Sequence, residues 1–325
     1  PLVYQDSALP GLSGQLLACA PAQNFVHRAE LQRDGVLLNI RRPAGAEKSE
    51  FLASGDIWFH PIHLVIGPEG AIYIADFYRE IIEDYSAIPR YLQQQYGLDD
   101  GRDHGRIWRL VHDDMPKPQS PNLANLENAV LAREVASPRF WRRQTARRLL
   151  LERDARKTKI ALSHDNTAAA VNALYTLDGL ERLNDNTLAS ALAHGEAGVR
   201  RHALRLAERR FNDSEHLLAA ALRLANDESP VVRLQLALSL GETDDTGSLL
   251  RTLADLAKRH GEEAWLDGAI LSSLGNRAGQ MLKALLSDKP NALGQEHGLV
   301  RRLCSAVASR KNPEEFSGVI ALLSG

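Results

Sequence analysis

The chain has 325 residues, of which 44% are apolar and 25% charged, and a formal charge of -2. That length leaves room for two domains and a sizeable core, and the near balance of 39 basic against 41 acidic residues excludes a general electrostatic pull toward nucleic acid or an anionic membrane surface. No apolar run approaches the roughly 20 residues that cross a bilayer, and no basic-then-apolar leader opens the chain.

The chain opens at Pro1 without a methionine, which reads as a processed or excised piece. Residues 15–19, 24–31 and 36–42 have strand length, with Pro21-Ala22-Gln23-Asn24 and Arg33-Asp34-Gly35 as turns; Asp-Gly is a strong hairpin signal. A polar loop, 43–50, leads into the most informative stretch. There the β-branched runs 62–66 and 71–75 flank Gly67-Pro68-Glu69-Gly70, where proline fixes φ and glycine supplies positive φ, and this predicts a hairpin. A third strand at 105–111 follows a long polar insertion holding a short helix at 88–96. Residues 1–112 thus carry about seven strands, nearly two four-stranded blades of a β-propeller. Two blades leave unpaired edges and an uncovered face. The rest of the ring therefore lies upstream in a longer chain, or a partner chain supplies it.

Chemistry-bearing residues gather in and around that insertion. His60 and His63 flank Pro61; on a strand they point to opposite faces, which weakens them as a metal pair, but either can act as a general base or pack at a blade end. Asp76, Tyr78 and Arg79 close the hairpin. Asp76 either ligates a cation or accepts turn N–H groups, and Arg79 either clamps an anion or pairs with Glu80 or Glu83. Arg102, Asp103 and His104 bring a cation, an acid and an imidazole into one loop, with Asp103 and His104 as a candidate acid–base pair. The metal ligands are unassigned. Cys19 and Cys304 sit outside any CxxC or CxxCH setting, so zinc, redox and covalent haem motifs are absent from this piece, and both read as buried small side chains.

A linker at 113–121, with Pro116, Pro118 and Pro121, marks a domain boundary. From 122 to 325 the apolar period becomes 3.6, in helices of about 10 to 15 residues. A phrase recurs at helix starts: Phe140-Trp141-Arg142-Arg143, Gly198-Val199-Arg200-Arg201, Val231-Val232-Arg233-Leu234 and Leu299-Val300-Arg301-Arg302, with Ala170 and Asp267 in the same slot of two further copies. Positions 143, 170, 200, 233, 267 and 301 are spaced by 27, 30, 33, 34 and 34 residues, the signature of an α-solenoid. The phrase resembles HEAT repeats, whose arginine commonly binds a carbonyl or an acid between repeats. Ala170 and Asp267 then leave two interfaces to packing or to another charge. The basic cluster Arg139, Arg142, Arg143, Arg147, Arg148, Arg153, Arg156, Lys157 and Lys159 reads as a solvated face or a seam, and no nucleic acid is expected.

Residues 51–61, 67–79 and 105–110, followed by a short linker and HEAT-like repeats, resemble the membrane-bound dehydrogenase family, also called PVC-type haem-binding proteins. The resemblance implies a multidomain β-then-α chain, a partial propeller of glucose/sorbosone dehydrogenase type followed by a HEAT-like solenoid. It further implies a periplasmic or otherwise extracytoplasmic quinoprotein-like dehydrogenase that oxidises a sugar-like alcohol or aldehyde. Pyrroloquinoline quinone and calcium would belong to the full propeller, and haem c to a separate cytochrome c module. This piece alone is expected to be inactive. A non-catalytic scaffold that binds a protein or a polysaccharide is the alternative.

Overall fold

The computed structural model describes residues 1–81, 88–98, 100–101, 103–115, 121–286 and 298–324. They form antiparallel sheets followed by a helical region. The chain divides into two compact units, residues 1–33 with 38–161, and residues 34–37 with 162–325.

The first unit holds two sheets. One has the order β1 (Leu2–Val3), β2 (Leu16–Ala20), β3 (Phe25–Asp34), β4 (Leu37–Arg41), with β5 (Leu52–Ala53) paired to β3. The other runs β6 (Pro61–Ile66), β7 (Ile72–Asp76), β8 (Arg106–Leu110), antiparallel throughout. The predicted hairpin is present, closed by Gly67 N–H on the Ala71 carbonyl at 2.9 Å and Gly70 N–H on the Gly67 carbonyl at 3.0 Å. Gly70 adopts φ +89°, and a Cβ there would lie 2.5 Å from the Ala8 Cβ, so both backbone angle and space require glycine. The predicted short helix is α1 (Arg90–Gln95).

Alternation explains why the two sheets share a core. Leu64, Ile66, Ile72 and Ile74 point inward from β6 and β7 and pack with Tyr4, Leu9, Leu12, Leu17 and Val26 of the first sheet. Burying side chains of this size stabilises by about 1.5–3 kcal/mol each. The opposite face of β6–β7–β8 is formed by His63, Ala75 and Ile107 in one row and Val65, Tyr73 and Arg109 in the next. Ile107 is 75% exposed and Val65 48%. Among the described residues no fourth strand joins this sheet, because β5 pairs with β3 instead.

Strands give way to helices between β8 and α2 (Asn128–Glu134), across the expected linker, whose residues 116–120 lie outside the described residues. The compact division falls later, and α2 and α3 (Phe140–Glu152) belong to the first unit. The cause is Asp6. The buried Asp6 carboxylate accepts from Arg139 Nη1 and from the Phe140 backbone N–H, both at 2.8 Å, and so caps α3 from more than 130 residues earlier in the chain. The basic cluster there is committed in the same way. Arg142 pairs with Glu134, Arg148 with Glu152 and Arg156 with Asp154, while Arg153 donates to the carbonyls of Ala124 and Leu126.

The second unit runs α4 (Thr167–Gly179), α5 (Asp185–Leu192), α6 (Ala197–Ala207), α7 (Glu215–Leu222), α8 (Pro230–Ser239), α9 (Thr246–His260), α10 (Leu266–Ser273), α11 (Ala278–Leu286), α12 (Gly298–Ser309) and α13 (Pro313–Ser324). Side-chain oxygens of Asn166, Asn184, Ser214 and Asp245 cap α4, α5, α7 and α9. In one row α4, α6, α8, α10 and α12 pack each on the next; in the other α5 packs on α7, α9 on α11 and α11 on α13.

The recurrent arginine has a recurrent geometry. Nη1 of Arg143, Arg200 and Arg233 donates to the carbonyl six residues earlier, of Ser137, His194 and Asp227 respectively. Arg200 also grips Asp227 with Nε at 2.7 Å and Nη2 at 2.8 Å, and Arg233 grips Glu263. At the Ala170 slot other pairs join α4 to α6 and the residue before it: Thr167 donates to Glu196, just ahead of α6, at 3.1 Å and the Tyr175 hydroxyl meets His202 Nδ1 at 3.0 Å. Arg301 is exposed on α12, and the position six residues before it lies outside the described residues. Cys19 and Cys304 are free and part-buried, and burial raises both thiol pKa values.

Candidate functional site

The chemistry-bearing residues of the first unit converge on one carboxylate. Asp76 ends β7, where the alternation that buries Ile72 and Ile74 turns its side chain inward as well. The group is fully enclosed, and an enclosed carboxylate persists only where donors meet it. It has four. Oδ1 accepts the backbone N–H groups of His60 at 2.9 Å and Tyr78 at 3.1 Å; Oδ2 accepts the indole N–H of Trp108 at 2.9 Å and Arg106 Nε at 3.3 Å.

A second layer lies over this node. The Arg106 guanidinium stacks on the Tyr78 ring at 3.6 Å, lies 4.9 Å from the Trp108 ring and faces Asp56 at 3.6 Å. The Tyr78 hydroxyl is bonded to Asp56, which raises its pKa, with burial adding to the shift. Asp56 is held below the usual carboxylate range, chiefly by the Trp58 backbone N–H and further by Tyr78 and Arg106. Trp58 stands edge-on to Tyr78 at 5.5 Å and its indole N–H donates to Glu80. Gly101 closes the layer with φ +87°; a Cβ there would meet the Tyr78 carbonyl at 2.6 Å.

Beside this node lies a pocket of about 260 Å³, lined by Leu52, Ser54, Phe59, Ile74, Trp108, Arg109 and Leu110. Trp108 is shared by the two. The Arg109 guanidinium is bound to Glu69 at 3.1 Å, and Glu69 also accepts the Tyr73 hydroxyl at 2.7 Å.

The candidates divide accordingly. Asp76 and Tyr78 are brought together, and His60 joins them by its backbone while its buried ring meets Asn24 Nδ2 at 3.3 Å. His63 is exposed on β6, beyond the register shift between Pro61 and His63, whereas His60 is buried just before the strand, so the two histidines face different surroundings. The Arg79 guanidinium lies over the Phe77 ring at 4.3 Å, and its enclosed Nε has no hydrogen-bond partner among the described residues. Asp103 and His104 are exposed; the His104 ring stands 6.4 Å from the Tyr78 ring, and no hydrogen bond between Asp103 and His104 is found among the described residues. Arg102 lies outside the described residues. Sequence reasoning missed Asp56, Trp58, Arg106 and Trp108. The alternation of Arg106 and Trp108 on β8 was the available signal, since it places both on the face of Asp76.

Residues 1–114 match a domain of unknown function (DUF7133). No curated protein and no solved structure matches the chain. The matched stretch ends just past β8, so it covers both sheets and leaves out the helices from α2 onward.

Chemically, the node is a clasp. All four donors reach the Asp76 oxygens, so this carboxylate is neither a general base nor a cation ligand as it stands. Among the described residues no three His, Cys, Asp or Glu side chains gather where they could hold a metal. The donor set around Asp76 and Asp56 consists of N–H groups, a hydroxyl and a guanidinium, which does not fit calcium, a cation that takes six to eight oxygens. What the arrangement offers a ligand is two aromatic side chains, Tyr78 and Trp108, a guanidinium and an exposed imidazole around one clasped carboxylate.

Proposed function

We propose that the chain is the closing part of a β-propeller, about two blades, followed by a HEAT-like α-solenoid, within an exported quinoprotein-like dehydrogenase that oxidises a sugar-like alcohol or aldehyde. The observation that carries this reading is the uncovered sheet face. β6, β7 and β8 pair along their length apart from one register shift between Pro61 and His63, yet Ile107 and Val65 on one face are open to solvent. A blade loses such exposure when its neighbour in the ring packs on it. In this reading further blades, upstream or from a partner chain, cover that face and hold pyrroloquinoline quinone and calcium. Haem c sits in a separate cytochrome c module, and the helical repeats form the scaffold.

A specific observation favours the second reading, a non-catalytic scaffold for a protein or polysaccharide: Asp76, the best-placed acid, is consumed by structural donors. One experiment separates them. The chain is produced with the preceding blades restored, mixed with calcium and the quinone, and followed by absorption and by dye reduction with sugar alcohols. A shifted quinone spectrum with substrate-dependent reduction supports the dehydrogenase. A folded protein that leaves the quinone spectrum unchanged overturns it and leaves the scaffold.

A further inference from the structure

β8 is an open edge, and the hairpin fixes which of its backbone groups are in use. Gly67 N–H bonds the Ala71 carbonyl, so the alternation of an antiparallel ladder turns Tyr73 and Ala75 toward Val65 and His63 of β6. Ile72, Ile74 and Asp76 then bond the other way, to Leu110, Trp108 and Arg106 of β8. The N–H and C=O groups of Ile107 and Arg109 therefore face away from β7, and among the described residues no strand meets them.

The pocket of about 260 Å³ reaches this edge. Trp108 and Leu110 line it from the inner face of β8. Arg109 lines it too, although its side chain lies in the row of Val65 and Tyr73, so the cavity extends to the strand's backbone. Leu52 and Phe59 complete its apolar lining. Its volume falls below the roughly 300–1,000 Å³ of pockets that enclose small-molecule ligands, and suits side chains instead. On the outer face of β8 the charge is one-sided: Arg109 is exposed, whereas Glu69, the acid paired with it, is nearly enclosed.

We propose that the edge of β8 takes up an extended segment of a partner chain as a fourth, antiparallel strand, with apolar side chains opposite Trp108 and Leu110 entering the pocket and a carboxylate opposite Arg109. The backbone selects a strand, because donors and acceptors spaced two residues apart are answered by another ladder. The pocket and Arg109 select its side chains. A second copy's β8 does not fit: it brings arginine where an acid is needed, and its Trp108 is already bonded to Asp76. This edge is distinct from the open face that a neighbouring blade would cover, and its occupancy needs no quinone.

The probe is a fluorescein-labelled peptide, Thr-Ile-Glu-Phe-Val-Thr, titrated into the intact chain by fluorescence anisotropy. Saturable binding is expected, with slower hydrogen exchange at the Ile107 and Arg109 amides. Ile107→Pro deletes an outward N–H that β7 does not use and is expected to weaken binding about tenfold, with circular dichroism to check that the variant folds. The same peptide N-methylated at its glutamate and valine cannot form the ladder and is expected not to bind the parent chain, a comparison free of any folding defect. A peptide with lysine in place of glutamate is expected to bind Arg109→Glu more tightly than it binds the parent. Equal binding by the N-methylated peptide, or by one with serine in place of phenylalanine, overturns the proposal. So does unchanged exchange at Ile107, or self-association abolished by Ile107→Pro, which assigns the edge to a second copy.

Discussion

Trp108, on the outer strand of its sheet, donates its indole N–H to Asp76 on the neighbouring strand across 2.9 Å, and so closes a carboxylate that three other groups already hold. Register makes the contact diagonal. Asp76 is opposite Arg106, and Trp108 opposite Ile74. The same carboxylate therefore fixes β8, the start of β6 and the turn after β7.

Asp76→Ala strands buried donors and is expected to cost about 3 kcal/mol or more. Trp108→Phe removes one donor and keeps most of the ring, so about 1 kcal/mol is expected. Urea unfolding of the two variants gives the comparison; equal midpoints would contradict the clasp.

The Asp6 carboxylate is expected to govern the start of α3. Asp6→Ala should destabilise by about 3 kcal/mol and speed hydrogen exchange at the Phe140 amide. Arg139→Ala should do less, because the Phe140 N–H keeps its acceptor. An unchanged Phe140 exchange rate in Asp6→Ala would refute the cap.

Arg200 is nearly enclosed and pairs bidentately with Asp227. Arg200→Ala leaves that acid buried and unpaired, at an expected cost of about 3–5 kcal/mol. Lysine cannot reproduce the fork and should recover little of it. Thermal melts of the pair decide, and full rescue by Arg200→Lys would show that charge alone matters.

His202 has its pKa pushed below the ordinary value of 6.5 by burial first, then by Arg201 and Arg205. The unfolded chain therefore takes up the proton more readily than the folded one. This contribution to stability is complete above about pH 6.5 and is lost as the pH falls from there through the lower folded value. Around His202, α4 presents Tyr175, and Arg201 contacts its Nε2. Denaturant midpoints measured from pH 7.5 down to 5 are expected to fall less steeply in His202→Gln than in the parent, and parallel curves would remove the imidazole from the account.

Trp265 opens α10 with φ +67° and is 71% exposed. Left-handed backbone costs a bulky L-residue about 1 kcal/mol or more. Trp265→Gly should raise the melting temperature, and a lowered one would mean that the indole makes a contact worth more than the strain.

Local chemistry decided how much of this was legible. Gly67-Pro68-Glu69-Gly70 announced its hairpin because turn geometry depends on the residues in the turn, and the spaced arginines announced the helical rows because three of them, Arg143, Arg200 and Arg233, bond a carbonyl six residues back on the chain. The pairing of β5 with β3, and the union of Asp6 with Arg139, join residues far apart and leave no local mark. Asp76 was singled out, but its partners Arg106 and Trp108 were not, since only the strand register tells which side chains share its face.

Asp6 carries one more consequence. Its partner Arg139 is 133 residues further along the chain. During synthesis on the ribosome, the Asp6 carboxylate has the neighbouring Ser7 and Ala8 N–H groups to accept from, but not Arg139, until that arginine emerges. The two bonds that tie Asp6 to the start of α3 therefore form only once the third helix has been made.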